Sequence, residues 1–190
     1  KYKINTRNKI PNILWNHRWE YDKNPQLFFD SLLKIKKSNL KFNLIVLGQQ
    51  FSTYPEIFDI AKKELSNEII HWGYCDSFEE YSLWLWKSDI IPVTSKQDFF
   101  GISIVEAVYC NTKPILPNKL AYPEIFDMTK NKNLFYNSDS DFYNQLYDEI
   151  LNFNGDNSFL NEIDKFDWTN MIKQYDKTFT ILKEKFSDKS

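Results

Sequence analysis

The sequence predicts an α/β domain, a doubly wound parallel sheet of about six strands with a Rossmann-like arrangement. Two observations indicate this fold: short apolar runs alternate regularly with amphipathic helical stretches, and most runs are almost continuously apolar. Strands of that composition are buried on both faces, which places helices on either side of a parallel sheet. Crossovers between parallel strands are right-handed, so ligands are expected beyond the carboxyl ends of the strands.

Six short runs are the predicted strands. The clearest spans 42–47, reads Phe-Asn-Leu-Ile-Val-Leu and stops at Gly48, while the run at 69–72 stops at Gly73. Glycine suits these ends because it adopts turn conformations without steric cost. In chain order the predicted strands are 12–15, 42–47, 69–72, 90–94, 112–116 and 133–136.

Helical patterns separate these runs. Pro25 and Pro55 each suit the first turn of a helix. Ser77 is followed three residues later by Glu80, the spacing of a capping box at a helix start. Further helices are predicted at 103–109, 142–153 and 168–186, and Gly155-Asp156-Asn157 interrupts the chain before the last of them.

The composition restricts the class of function. A chain of 190 residues is long enough for one domain with a substantial core, and we assign 12–190 to it. The formal net charge of −2 gives no overall field that would attract nucleic acid or an acidic membrane. We interpret 1–11 as a solvated linker, with a contact to a polyanion as the alternative. Its basic residues are Lys1, Lys3, Arg7 and Lys9.

Cysteine usage and hydropathy give an expectation about the compartment. Cys75 and Cys110 lie among apolar and aromatic residues and are interpreted as reduced core residues. The sequence has no signal peptide and no apolar run approaching the ~18 residues of a membrane span, so we expect a cytoplasmic protein. Aromatic residues make up 17% of the chain, which favours a densely packed core over a stacking surface for bases.

Several familiar site patterns are missing. No G-x-G-x-x-G follows the first strand and no G-x-x-x-x-G-K-[ST] occurs, which argues against an NAD domain and a P-loop nucleotidase. No cluster of cysteine, histidine and acidic residues has metal-ligand spacing, so no metal site is predicted. The two histidines, His17 and His71, are far apart in sequence and form no evident couple.

The segment from Asp98 to Glu106 is the most informative for function. It reads Asp-Phe-Phe-Gly-Ile-Ser-Ile-Val-Glu, so one acid precedes an aromatic–glycine turn and another follows two helical turns later. The first N–H groups of a helix lack internal partners and bind anions, while carboxylates accept hydrogen bonds from hydroxyls. A sugar joined to a nucleoside by a diphosphate presents its groups in the matching order: sugar hydroxyls, phosphates and ribose hydroxyls. The alternatives are a hydrolase acid–base pair, or a capping acid and a solvated one.

Two cations follow the first predicted strand. Arg18 and Lys23 suit a diphosphate, because Arg grips two oxygens at once and Lys acts as a point charge. The ordinary alternative is a loop with salt bridges to Glu20 or Asp22. The combination favours a site, since the ends of the first and fourth strands would meet at one crevice.

These motifs resemble the C-terminal half of retaining glycosyltransferases of the GT-B fold, the glycosyltransferase group 1 family. The resemblance runs from about Ile13 to Phe186 and is similar in detail to one branch, the tRNA-queuosine α-mannosyltransferases. The motifs of the wider family are Arg18-x4-Lys23, Asp98-x7-Glu106 followed by Ala107, and Lys113-Pro114-Ile115. The blocks of the branch are 14–20, 71–74, 98–101, 106–110 and 122–126.

The resemblance implies catalytic roles for three residues. Arg18 and Lys23 would bind the donor diphosphate and stabilise the charge that develops as it leaves. Asp98 stands where the family usually has Glu, a residue that contacts hydroxyls of the donor sugar. Being one methylene shorter, Asp98 has less reach. The two cations and the helix end can do the work of a metal, so none is required.

The resemblance also implies a set of donor-binding residues. Phe100, Gly101 and Ile102 would offer backbone N–H groups to sugar and phosphate. Glu106 would hold the ribose hydroxyls, and Tyr74 would lie where the family reads the base. The donor implied is a nucleotide sugar, GDP-mannose, and the acceptor is queuosine in tRNA.

The sequence departs from the family at two further places. Asn111 stands where glycine is common, a change that a left-handed backbone tolerates because Asn adopts that conformation readily. Ala121-Tyr122 replaces a Gly-Gly pair.

A GT-B enzyme has a second, N-terminal domain that usually docks the acceptor, and we expect it to be absent from this chain, which begins with Lys. The helix at 168–187 would cross back to brace that half. By itself the chain is expected to bind nucleotide weakly and not to transfer sugar. The alternatives are a non-catalytic Rossmann-type nucleotide-binding or regulatory module, and a glycosyltransferase that acts on a glycan or lipid.

Overall fold

The computed structural model of the chain describes residues 10–155 and 163–187. The chain divides into two compact units, residues 1–159 and residues 160–190. The first unit contains a six-stranded sheet in which every pairing is parallel, which confirms the predicted fold class. The strands are β1 (Asn12–Asn16), β2 (Asn43–Leu47), β3 (Ile69–Trp72), β4 (Ile90–Pro92), β5 (Lys113–Pro117) and β6 (Phe135–Tyr136).

The strand order is β3-β2-β1-β4-β5-β6. All strands are parallel, but the order in which the chain adds them to the sheet reverses between β1 and β4. After β1 the chain moves outward through β2 to β3, whereas after β4 it moves the other way through β5 to β6. The loops that leave β1 and β4 therefore diverge, which opens a crevice beyond the carboxyl ends of these two strands.

Helices connect the strands and follow the sheet. Ser77 accepts a hydrogen bond from the backbone N–H of Glu80 at 3.1 Å, so the predicted cap is present. Asn24 has a left-handed backbone with φ of +51° and turns the chain into Pro25. The helices of the described residues are α1 (Pro25–Lys37), α2 (Ile57–Glu64), α3 (Phe78–Lys87), α4 (Ile102–Tyr109), α5 (Tyr122–Ile125), α6 (Asp139–Leu151) and α7 (Trp168–Ser187).

Aromatic side chains fill the core beside β1 and β2. Trp15, on β1, contacts Phe28 and Phe29 of α1 and Phe58 of α2, with ring centroids 5.0–5.8 Å apart. Trp19 stacks on Phe58 with centroids 4.5 Å apart and planes 9° from parallel. All five rings are buried, as the high aromatic content predicted for a packed core.

The structure differs from the sequence analysis at several elements. β4 ends at Pro92 rather than at 94, and α2 begins at Ile57, so Pro55 precedes the helix instead of lying in its first turn. The sixth strand is shorter than 133–136, because Lys132–Leu134 forms a 3-10 turn and only Phe135–Tyr136 pairs with β5. Helix α6 begins at Asp139, three residues before the first apolar position of the pattern. It begins there because the Ser138 hydroxyl caps the helix by accepting from the N–H of Asp141. Helix α5 was not predicted.

The second unit holds a 3-10 turn at Asp164–Phe166 and the long helix α7, which confirms the helix predicted at 168–186. Asp167 accepts from the N–H of Thr169 at 2.8 Å at the start of α7. Of the predicted linker 1–11, residues 1–9 and their basic side chains lie outside the described residues, as do positions 156 and 157 of the predicted interruption. The described helices include none with the length and apolar character needed to span a bilayer.

Candidate functional site

Lys23 and Asp98 meet at the crevice between β1 and β4. The Lys23 ammonium donates to the carbonyl of Gln97 at 2.8 Å and lies 3.7 Å from Asp98 Oδ2 and 3.2 Å from Asp22 Oδ2. The Thr94 hydroxyl donates to the Lys23 carbonyl at 2.8 Å, which ties the two loops together. Residues 75 positions apart thus converge, as the strand-end argument predicted. Their side chains are only 11% and 16% exposed, so the charges are partly shielded from water.

Tyr122 holds Asp98 from the other side. Its phenol donates to Asp98 Oδ2 at 2.8 Å, and the ring is buried. Burial, together with the charge of Asp98 and this hydrogen bond, raises the pKa of Tyr122. The phenol therefore stays protonated and remains a donor. Tyr122 was noted from the sequence as a departure from a family pattern and as the first residue of a branch block, but no site role was predicted for it. Its place shortly after the carboxyl end of β5 was the signal available.

Gly101 directly precedes α4 and has a left-handed backbone, φ +75°. A Cβ at this position would lie 2.8 Å from Cε1 of Tyr122, so glycine lets the ring pass over the turn. The Gly101 carbonyl accepts from the N–H groups of Ile104 and Val105, which sets the first helical turn. The earliest N–H groups of a helix have no partner within it, so the start of α4 can offer donors to an anion. Phe100 and Ile102 flank the turn with exposed side chains.

Glu106 belongs to a separate group of hydrogen bonds. Its Oε2 accepts from the Tyr81 phenol of α3 at 2.7 Å, and that phenol accepts from the Asn16 amide at 2.9 Å. Asn16 also donates to the carbonyl of Ser103 at 3.0 Å, which joins the end of β1 to α4. Burial raises the pKa of Tyr81, so this phenol is also a permanent donor. Asp98 and Glu106 thus have different partners.

Arg18 lies at the surface, 59% exposed, with Nη2 at 3.0 Å from Glu20 Oε2. The salt bridge that we named as the ordinary alternative is therefore present, and so is the one between Lys23 and Asp22. An exposed ion pair contributes only about 0–1 kcal/mol, so it restrains the guanidinium weakly. Arg18 is free to turn toward a more strongly charged ligand.

His17 is a buried neighbour of these cations. Burial, followed by the positive charge of Lys23, lowers its pKa to about 4, so the ring is neutral at pH 7. Its ring lies edge-on to Trp15, with centroids 5.2 Å apart, and Nε2 has no hydrogen-bond partner among the described residues. His17 was not predicted as a site residue, because no second histidine lies near it in sequence. Its place directly before Arg18 was the signal that it lies beside the two cations.

A cavity of about 520 Å³ lies beyond the ends of β2 and β3. Tyr74 stands at its edge with an exposed ring, directly after Gly73. Indole and amide groups dominate the wall, a lining that suits the flat face and polar edge of a base. The lining residues are Trp19, Gly48, Gln49, Gln50, Lys62, Trp72, Gly73 and Tyr74.

Among the described residues, one group brings three potential metal ligands together: His71, Cys75 and Glu80, with their donor atoms within 4.8 Å of one another. Burial, then the charges of Glu80 and Asp76, raises the pKa of Cys75 to about 11, so the free thiol is protonated. No such group was predicted, because the three residues come from a strand, a loop and a helix. The interpretation of Cys75 as a core residue was wrong, since it is half-buried in the loop between β3 and α3, whereas Cys110 is buried as expected.

Comparison with known proteins adds the following. The family model described as Glycosyl transferases group 1 matches residues 1–163. The tRNA-queuosine alpha-mannosyltransferase of Drosophila melanogaster is 34% identical over 139 residues, which are 73% of this chain and 36% of that protein. This chain thus spans about a third of the length of that relative.

Solved structures share the fold. A TarM variant of S. aureus in complex with Fondaparinux, alpha-GlcNAc-glycerol and UDP superposes with a TM-score of 0.63 at 16% identity, over 98% of this chain and 37% of that one. Sucrose-phosphate synthase from Thermosynechococcus elongatus superposes with a TM-score of 0.62 at 15% identity, over 91% of this chain and 45% of that one. The C-terminal domain of a group 1 glycosyl transferase from Francisella tularensis, LpcC, superposes with a TM-score of 0.52 at 18% identity, over 74% of this chain and 88% of that one.

Proposed function

The chain belongs to the group 1 glycosyl transferases, and from that membership we propose that it is the donor-binding half of a retaining enzyme that transfers mannose from GDP-mannose to queuosine in tRNA. The identity with the Drosophila queuosine mannosyltransferase supports the sugar and the acceptor. The site supports the donor class, a nucleotide sugar.

The observation that carries the proposal is the meeting of Lys23 and Asp98 where the strand order reverses. Breaking the bond between sugar and phosphate places negative charge on the departing diphosphate. Lys23, Arg18 and the amino end of α4 are the groups that would stabilise that charge. Donors that are already oriented before reaction are effective because little reorganisation is needed as the charge develops.

The sugar end of the donor is assigned to Asp98 and Tyr122. Asp98 is one methylene shorter than the family's usual Glu, and the Tyr122 phenol occupies one of its oxygens. The hydrogen bond fixes the carboxylate in one orientation, so the shorter acid is held firmly beside Lys23. A fixed carboxylate is suited to accept hydrogen bonds from sugar hydroxyls.

The nucleoside end is assigned to Glu106 and to the cavity at Tyr74. Glu106 is held by Tyr81, which is in turn held by Asn16 at the end of β1. A carboxylate fixed in this way is suited to bind the two ribose hydroxyls. The base would then enter the cavity beyond β2 and β3, where Gln49 and Gln50 offer amide groups to its edge.

Nucleotide binding by the chain tests this proposal. Isothermal titration calorimetry with GDP, UDP and ADP should show weak binding, tightest for GDP. Lys23→Ala and Glu106→Gln should each weaken GDP binding by roughly 10-fold or more, since each removes a charge-assisted hydrogen bond. Arg18→Ala should weaken it as well.

Lys36→Ala is the matched control. Lys36 donates to a carbonyl, that of Glu64, and pairs with a carboxylate, that of Glu68, just as Lys23 does, but it lies at the amino-terminal side of β3. This variant should bind GDP like the parent. Equal loss in Lys36→Ala and Lys23→Ala, or no binding of any nucleotide by the parent, would reject the donor site. Tighter binding of UDP or ADP would reject GDP-mannose.

The acceptor is tested separately with GDP-mannose and queuosine-containing tRNA. The chain is expected not to transfer mannose by itself, because the acceptor usually docks on the other half of a GT-B enzyme. Transfer of sugar by these 190 residues to tRNA, or to a glycan or lipid, would contradict this expectation.

A further inference from the structure

We propose that His71, Cys75 and Glu80 bind a divalent cation of the zinc class. Cys75 Sγ and His71 Nε2 are 3.8 Å apart, and the three donor atoms lie within 4.8 Å of one another. Two donors that share a tetrahedral zinc ion, with bonds of about 2.0–2.1 Å to nitrogen and 2.3 Å to sulfur, are roughly 3.6 Å apart. The group therefore needs only small side-chain movements to close around one ion.

The three donors are presented by different elements, each of which is held in place. His71 is the next-to-last residue of β3, and its ring packs against Trp84 with centroids 4.6 Å apart. Glu80 is in the first turn of α3, which the Ser77 cap fixes. Cys75 lies in the loop between them and is half-buried. The site is thus largely formed before the ion arrives.

A backbone carbonyl completes the surroundings. The Gly73 oxygen lies 3.3 Å from His71 Nε2. In the free protein this nitrogen can donate to that carbonyl, whereas with an ion bound the ring would carry its proton on Nδ1 and present the Nε2 lone pair. The fourth position is then open to the carbonyl oxygen or to water, as in zinc sites with three protein ligands.

The chemistry of the donors selects the ion. A thiolate and an imidazole are soft or borderline ligands that suit zinc, whereas Mg²⁺ and Ca²⁺ take oxygen ligands almost exclusively. The thiolate and the carboxylate together carry two negative charges, which a divalent cation balances. On binding, the Cys75 thiol releases one proton to solvent. The ion, the thiolate and the carboxylate then have no net charge together.

The position of the group suggests what the ion does. It would join the end of β3 to the start of α3 across the loop that carries Tyr74. That loop borders the cavity beyond β2 and β3, and α3 also carries Tyr81. A bound ion would therefore fix the loop in one conformation. The inference rests on the ligand geometry and does not depend on the proposed function.

Cobalt provides a direct readout. The untagged chain, treated with a chelator and dialysed, is titrated with Co²⁺ under reducing conditions. One equivalent should produce the near-ultraviolet thiolate-to-cobalt charge-transfer band and the visible bands of a tetrahedral site, and Zn²⁺ should displace both. Zinc affinity is then measured by competition with a chromophoric chelator.

Cys75→Ser should abolish the charge-transfer band and weaken zinc binding beyond the ~10–100-fold that loss of an outer partner causes. Glu80→Gln should weaken zinc binding while keeping the backbone cap at Ser77. Cys110→Ser, which changes the other cysteine, is the matched control and should retain the band and the affinity.

Thermal unfolding shows whether each variant is folded, so that loss of a ligand is distinguished from loss of the fold. Zinc should raise the Tm of the parent and of Cys110→Ser but not that of Cys75→Ser, because only an ion that binds the folded state stabilises it. The absence of a charge-transfer band in the parent would overturn the proposal. So would unchanged zinc affinity in Cys75→Ser, or loss of the band in Cys110→Ser with retention in Cys75→Ser.

Discussion

Two glycine turns follow the carboxyl ends of strands, Gly48 after β2 and Gly101 after β4, but they meet different kinds of neighbour. Gly48 follows β2 with φ of +106°, and a Cβ there would overlap the carbonyl oxygen of His17 and lie 2.8 Å from its carbonyl carbon. Gly101 precedes α4 with φ of +75°, and its Cβ would meet the ring of Tyr122. The first turn is packed against backbone and the second against a side chain, so only the second can adjust.

The largest expected effect is that of Gly48→Ala. The new methyl group would displace the backbone that leads into Arg18, so we expect a loss of about 4 kcal/mol or more in the free energy of unfolding. Gly73→Ala is the matched control: φ is +128°, yet no atom lies within 4 Å of the added Cβ, so only the backbone strain of about 1–3 kcal/mol remains. Denaturant titration compares them, and equal losses would refute the contact with His17.

The pH dependence of stability probes the same backbone-packed region through His17. Its pKa falls from 6.5 to about 4 on folding, so the unfolded chain binds more protons between these pH values. Stability is full above about pH 6.5 and falls as the pH drops toward 4, by up to about 3 kcal/mol from this group. The parent should therefore lose stability relative to His17→Gln over this range. Parallel curves for the two proteins would show that His17 is not buried in its neutral form.

Gly101→Ala tests the adjustable turn and should cost about 2 kcal/mol, from the left-handed backbone and the contact with Tyr122. Tyr122→Leu removes Cε1, so in that background the same substitution should cost only about 1 kcal/mol of backbone strain. A double-mutant cycle measures this coupling. No coupling is expected between Gly48→Ala and His17→Ala, because the clash there is with main-chain atoms. Equal coupling energies in the two cycles would show that the two glycines do not differ in whether they pack against a side chain or against the backbone.

The smallest effect is expected for Tyr122→Phe, which removes the hydrogen bond to Asp98 and should cost about 1.5 kcal/mol. Under the proposed function it should also weaken GDP-mannose binding, because Asp98 loses a fixed orientation. Tyr136→Phe is the comparison, since this buried phenol donates to the neutral carbonyl of Val93 at 2.8 Å. That variant should cost about 1 kcal/mol and leave nucleotide binding unchanged. The same loss of binding in both would assign the effect to general packing.

The elements and the crevice could be predicted because they depend on local pattern and on one general rule. Apolar runs such as 42–47 became strands, and the Ser77 cap began a helix where the capping box placed it. The rule that parallel strands end at one edge was enough to bring Lys23 near Asp98. Asn111 has φ of +71°, which confirms the left-handed backbone that the sequence analysis allowed for it.

The partners of the two acids could not be predicted. Tyr122 reaches Asp98 across 24 positions and Tyr81 reaches Glu106 across 25, and both contacts depend on strand order and on the rotation of a helix about its axis. Neither quantity follows from hydrophobic periodicity. The same reason applies to the group of His71, Cys75 and Glu80, whose members share a site only after β3, its loop and α3 are assembled.

The pairing of Lys23 with Asp98 has a consequence for how the proposed donor would arrive. The ammonium is matched by a carboxylate before any anion enters, and the whole chain carries a net charge of −2. Long-range attraction for a diphosphate is therefore weak, in contrast to sites that collect anions by an unbalanced positive field. Raising the ionic strength should slow association of the proposed donor only slightly, because short-range fit within the crevice would govern its capture.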